Sequence, residues 1–152
     1  MRRGCHVKID HIAIVVTDLE QSKAFYEQLG FTTSRHFDVH ERYPGEEGAH
    51  HYRAIILREA TQDSPVIWLM EPTSQDGPLR RFLERRGPGL HHLGLLTSDI
   101  TCDVQKITEQ GLRFIRPVHD FPDDGEMRAL IDPHDGQGVL IELVQRPRSE
   151  AS

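Results

Sequence analysis

One stretch of this chain is written twice. The segment Ile9-Asp10-His11-Ile12-Ala13-Ile14-Val15-Val16-Thr17-Asp18-Leu19 recurs as Leu90-His91-His92-Leu93-Gly94-Leu95-Leu96-Thr97-Ser98-Asp99-Ile100, 81 residues further on. The same shift carries Tyr26 onto Ile107, Gly30 onto Gly111 and Phe31 onto Leu112, so a strand, a helix and a closing glycine return in the same order. Such a repeat constrains the fold more than any composition does, because each copy must fold into the same unit. A histidine holds the same place in both copies.

Each copy reads as β-α-β-β-β. In the first, the apolar, β-branched run 7–16 predicts a strand. Asp18 is a helix N-cap, Leu19, Ser22, Phe25, Tyr26 and Leu29 follow helical spacing, and Gly30 supplies the left-handed stop. Strands are expected near 32–38, at 50–58 and over Val66–Met70, with the polar loop 41–48 between the first two. The stretch 77–87 predicts a linker helix, with Pro78 at its start and Gly87 just past its end. The second copy predicts a strand at 90–97, a helix from Asp99 to Gln110 stopped by Gly111, and strands near 112–117, 127–132 and 138–145. The expected architecture is α+β, a single domain over 1–152. Module one covers about 7–72 and module two about 90–145; they form a curved mixed-sheet barrel or groove around a metal site, with a loose tail over 146–152.

Aligning the last strands lays Ile67-Trp68-Leu69-Met70-Glu71 over Ile141-Glu142-Leu143-Val144-Gln145, a shift of 74 residues. Trp68 and Glu142 are therefore equivalent positions. Glu142 falls within the apolar run Val139–Val144, and His11 and His92 fall within apolar strands of their own. A buried charge without a partner costs several kcal/mol, so these groups call for compensation. If equivalent strands approach about a pseudo-twofold, His11, His92 and Glu142 converge. Two imidazoles and one carboxylate are a donor set for a divalent metal with open positions. Alternation along the strand turns His91 the other way, and it is not expected to be a ligand. His50 or His51 on the third strand faces the same groove as Trp68; His51 is the candidate acid or base, and His50 and Trp68 are candidate pocket walls. His6, His36, His40, His119 and His134 receive no role.

The remaining features exclude more than they assign. A formal net charge of −6 argues against nucleic acid as a partner, because phosphate binding needs a concentrated basic surface. No apolar run approaches the roughly 20 residues that span a bilayer, and residues 1–8 carry no apolar signal core, so a cytoplasmic protein is expected. Cys5 and Cys102 read as two free thiols. Arg80, Arg81, Arg85 and Arg86 read as the solvated face of the linker helix.

The chain resembles the vicinal oxygen chelate superfamily (the glyoxalase, bleomycin-resistance and dioxygenase proteins), and within it the methylmalonyl-CoA epimerase family. The residues that carry the likeness are Ile9-Asp10-His11-Ile12-Ala13, then Phe82-Leu83-Glu84 running into Gly87-Pro88-Gly89-Leu90-His91-His92-Leu93, and Gly138-Val139-Leu140-Ile141-Glu142-Leu143-Val144-Gln145. The resemblance implies that His11, His92 and Glu142 bind a divalent metal (Fe, Co, Ni, Mn or Zn), with Glu142 counted among the catalytic groups as well. It also implies a fourth ligand, Gln or Glu, where this chain has Trp68, and a glutamate base where it has His51. An indole cannot be that ligand, since its nitrogen only donates. The implied activity is an isomerase or epimerase. It removes a proton next to a carbonyl, through a metal-stabilised enolate, from a small carbonyl or carboxylate compound such as an acyl-CoA. The implied alternatives are an Fe(II)-dependent extradiol dioxygenase and a glyoxalase-type lyase. A homodimer is the expected assembly.

Overall fold

The computed structural model describes residues 5–42, 48, 50–120 and 125–148. Eleven elements run in the order β1 (Lys8–Val15), α1 (Leu19–Gln28), β2 (Thr32–Glu41), β3 (His50–Arg58), β4 (Val66–Pro72), α2 (Pro78–Arg86), β5 (Gly89–Leu96), α3 (Ile100–Glu109), β6 (Phe114–Asp120), β7 (Met127–Ile131) and β8 (Ile141–Gln145). The fold is α+β, as expected, and the chain forms two compact units, each built around one βαβββ copy.

In the first copy the strands lie in the order β2-β3-β4-β1. β1 pairs with β4 in parallel, and β3 is antiparallel to both β2 and β4. The parallel pair requires a crossover, and α1 with β2 and β3 supplies it. One sheet face packs against α1 through Val16, Leu19, Ile55, Leu57 and Leu69, joined by Tyr26 and Phe31. Each such side chain contributes roughly 1.5–3 kcal/mol when fully buried. The opposite face carries Ala13, Val15, Val39, Tyr52, Ala54 and Met70, with Phe37 and Trp68 packed against them.

The second copy repeats this plan. β5 pairs with β8 in parallel, β7 is antiparallel to β8 and β6, and the helix side is filled by Ile100, Ala129 and Leu143 with Val104, Ile107 and Phe114 around them. The repeat reaches single hydrogen bonds. Asp18 and Asp99 both cap their helices, their carboxylates accepting from the amides of Gln21 at 2.9 Å and Cys102 at 3.0 Å. Gly30 and Gly111 both close them at positive φ, 99° and 85°.

A second brace in each copy ties the helix start to the end of the last strand. The Leu19 amide donates to Glu71 Oε2 at 2.7 Å, and the Ile100 amide donates to Gln145 Oε1, also at 2.7 Å. Both satisfy an amide that no intrahelical carbonyl can reach. Truncating either acceptor, Glu71→Ala or Gln145→Ala, is expected to lower stability by about 1–2 kcal/mol. For a chain of this size that is a drop of roughly 2–4 °C in Tm per kcal/mol, read by thermal unfolding. An unchanged Tm in both variants would show that water replaces the brace without loss.

Three boundaries differ from the sequence reading. β2 continues to Glu41 because it pairs with β3 along its whole length, ending at Glu41 opposite His50. β6 starts at Phe114, since the Leu112 amide is still donating back to the Ile107 carbonyl at 3.3 Å and so closes the helix. β8 starts at Ile141, because Gly136 to Val139 are spent in a tight turn with Gln137 and Gly138 at positive φ. Most of the expected loop 41–48 and the end of the tail lie outside the described residues. The arginine cluster is not purely solvated: Arg80 donates to the carbonyls of Ser74 (3.0 Å) and Pro72 (2.9 Å), and Arg86 lies over the Phe82 ring.

Candidate functional site

The strand registers place Trp68 and Glu142 equivalently, as the repeat predicts. Trp68 stands beside Ala13 in the parallel β1/β4 pair, and Glu142 beside Gly94 in the parallel β5/β8 pair. The neighbour is a small residue in both cases, leaving space for a large side chain at the equivalent position.

Alternation then sorts the side chains. On β8, Leu143 and Gln145 belong to the α3 side, the first as core and the second as the brace, so Glu142 and Val144 face the other way. On β5, Leu95 packs on the α3 side and His92 takes the opposite face with Glu142. His92 Nε2 lies 3.8 Å from Glu142 Oε1, and both side chains are about nine-tenths buried. On β1, Ala13 and Val15 are in the core that excludes α1, and His11 shares their face at 1% exposure. Its ring stacks on Trp68, with centroids 4.6 Å apart and planes 19° from parallel.

His92 and Glu142 thus set an imidazole beside a carboxylate within one unit, and His11 holds the position equivalent to His92 in the other. The donor set fits a borderline divalent metal, which favours imidazole nitrogen with carboxylate oxygen. His91, expected to point elsewhere, packs edge-on against Phe82 of α2 at 5.0 Å.

The third-strand histidines fall differently from the expectation. Ile55 and Leu57 of β3 pack with Leu19 of α1, and His51 shares their side of the strand. Its ring meets His40 edge-on at 4.7 Å. His50 instead shares the face of Tyr52 and Ala54, which is the face of His11 and Trp68. Neither lies level with His11. The β3 position beside Trp68 is Ile56, and His51 sits five residues along the strand from it, about 17 Å at the usual rise. The structure thus does not bring His51 to the face that carries His11, because a one-residue step along a strand reverses the side chain.

One residue that the sequence left without a role lies on the Glu142 face. His119 of β6 pairs with Arg128 of β7, which pairs with Val144 of β8, and cross-strand partners share a face. Its imidazole is held less basic than usual, chiefly by burial; Arg116 adds to the effect, while its hydrogen bond to Pro117 and the charge of Glu142 oppose it. No local spacing marks His119; only the pairing of β6 with β7 reveals it. A separate concavity of about 630 Å³, lined by His6, Lys8, Thr97 and Arg146 among others, contains none of the three candidate ligands.

Comparison with known proteins places the chain in a family. The sequence profile described as Glyoxalase/Bleomycin resistance protein/Dioxygenase superfamily matches residues 10–129. An ethylmalonyl-CoA/methylmalonyl-CoA epimerase of Cereibacter sphaeroides is 28% identical over 141 residues, 91% of this chain and 97% of that protein. The crystal structure of methylmalonyl-CoA epimerase from Mycobacterium tuberculosis superposes with a TM-score of 0.73 at 26% identity, covering 91% of this chain and 87% of that one. A methylmalonyl-CoA epimerase in complex with methylmalonyl-CoA and NH4+ gives 0.72 at 27% identity, over 96% and 99% of the two chains. The profile match spans well over half of the sequence, and the chain therefore belongs to the glyoxalase/bleomycin resistance protein/dioxygenase superfamily.

Proposed function

We propose that this protein is a metal-dependent epimerase or isomerase that moves a proton next to the carbonyl of an acyl-CoA ester, with His11, His92 and Glu142 as the metal ligands. The observation that carries the reading is the buried His92–Glu142 pair, with His11 buried at the position equivalent to His92, in a chain similar to acyl-CoA epimerases over nine-tenths of its length. A bound divalent metal would act as a Lewis acid toward the carbonyl oxygen, a contribution of several kcal/mol to a developing enolate. The chain's own residues supply the rest. His11 and His92 would present imidazole nitrogens from their strands, Glu142 would offset part of the metal's charge, and the apolar neighbours of each, Ala13 and Val15 on the His11 face and Val144 on the Glu142 face, would keep water from competing for the donors. Half-buried His119 lies on the Glu142 face and is therefore a better placed candidate for proton handling than His51, which lies on the α1 side.

The test is solvent exchange. Metal-replete protein incubated with methylmalonyl-CoA in D2O should place deuterium at the carbon between the carboxylate and the thioester, and consume no oxygen. Oxygen uptake with catechols, in the absence of that exchange, would replace this reading with the dioxygenase one. A free thioester substrate that stays fully protonated with metal bound would remove it.

A companion substitution separates the histidines. His51→Ala should leave the exchange rate within about threefold of the parent, since the side chain lies on the α1 face. A general base is worth about 10²–10⁴-fold, so a loss of that size would restore His51 as the proton carrier.

A further inference from the structure

The position equivalent to Glu142 in the first copy is Trp68, and its ring does not stand idle. It lies face to face with His11 at 4.6 Å, while Phe37 meets it edge-on at 5.6 Å with planes at 78°. Arg35 covers the far end, its guanidinium carbon 5.1 Å from the centre of the Phe37 ring. The four side chains form a column running from an exposed cation to a buried imidazole, and all four lie within one copy of the repeat. Histidine has two free side-chain torsions, and a ring turned about either of them aims its nitrogen elsewhere. A parallel indole fixes the ring plane through its face and engages neither nitrogen.

From this we propose that Trp68 is the positioning residue of the site, holding the His11 imidazole by face-to-face stacking at the place where the repeat would otherwise supply a fourth donor, so that a metal is bound by three protein ligands. The inference rests on the metal-site reading above. Stacking needs a flat aromatic face, which phenylalanine also offers, whereas alanine offers none and leaves a gap beside a buried ring.

Trp68 is also the only tryptophan in the chain, so its emission reports on this one place. The experiment titrates Co²⁺ into the apo protein, following tryptophan emission in the parent and bound cobalt, by chelator competition, in the parent, Trp68→Phe and Trp68→Ala. Saturable quenching at one cobalt per chain is expected in the parent. Trp68→Phe should keep the affinity within about threefold, and Trp68→Ala should weaken it by about 10–100-fold, the usual cost of losing a group that orients a ligand. Equal affinity in Trp68→Ala and the parent, with the variant folded by circular dichroism, overturns the positioning role and leaves the metal site standing. Absence of cobalt binding in the parent removes the metal site itself, and the two failures are thereby distinct. If Trp68→Ala does not fold, Trp68→Phe and Trp68→Leu decide the matter, since leucine fills the space without a flat face; equal affinities of those two for cobalt would sink the stacking argument.

Discussion

Glu142→Leu should leave the protein unable to hold metal and yet at least as hard to unfold as the metal-free parent. Glu142 is 7% exposed in a strand whose neighbours are Ile141, Leu143 and Val144, and it stands beside Gly94 on one strand and Leu130 on the other. A carboxylate there is costly to bury among apolar side chains, and the His92 imidazole stands 3.8 Å from it. Replacing a buried ion pair with apolar groups of similar volume is commonly neutral or stabilising, by about 1–4 kcal/mol, and an imidazole that loses its carboxylate can shed its proton and leave no buried charge behind. The catalytic cost goes the other way. Several kcal/mol of transition-state stabilisation vanish with the metal, and each 1.36 kcal/mol is tenfold in rate, so proton exchange should fall by about 10³-fold or more. Metal analysis, calorimetric unfolding of the metal-free proteins and exchange in D2O read the three effects. A variant that keeps one metal per chain would exclude Glu142 as a ligand; one that loses metal but also unfolds much more readily would make the residue a structural one.

The second large effect is expected at Gly136, where Gly136→Ala should lower stability by about 3 kcal/mol, the upper end of what forced overpacking usually costs. A methyl group on Gly136 would sit 2.3 Å from the Val139 carbonyl oxygen, far inside contact distance, and the obstacle is backbone. The turn around it is tightly bonded. The amides of Asp135 and Gly136 both donate to the Asp132 carbonyl, at 3.0 and 2.9 Å, and the Val139 amide donates to the Gly136 carbonyl at 3.2 Å. From outside, Arg113 grips Asp135 with its own amide and two guanidinium nitrogens, which holds that carboxyl well below the usual carboxylate range. The methyl therefore has to shift Val139, two residues before β8 begins at Ile141 and three before Glu142. At roughly 2–4 °C of Tm per kcal/mol for this size, a fall of about 6–12 °C is expected, with weaker metal binding alongside. A Tm within 2 °C of the parent would show that the turn relaxes without disturbing the strand.

Much of this was legible in the sequence because the repeat supplied long-range information that local patterns lack. Asp18 with Gly30 and Asp99 with Gly111 marked both helices to within a residue or two, and the 74-residue shift put Trp68 and Glu142 at matching registers before any pairing was known. The illegible parts have definite physical causes. The tight turn at Gly136–Val139 reads as strand because Val139 and Leu140 are apolar, and only the positive φ of Gln137 and Gly138 reveals the bend. His50 and His51 are adjacent, and sequence could place one of them on the Trp68 face without saying which; the pairing of β3 with β4, opposite Trp68 at Ile56, decides it. His119 was invisible because its relation to Glu142 passes through two strand pairings and no spacing rule.

The braces from Glu71 to Leu19 and from Gln145 to Ile100 close loops of 52 and 45 residues, and neither reaches across the linker helix into the other copy. Each half can therefore register its helix on its own strands. As the chain leaves the ribosome, the first half has all it needs to lock that contact while the second is still being made, and the exposure of unpaired strand edges during synthesis is shortened accordingly.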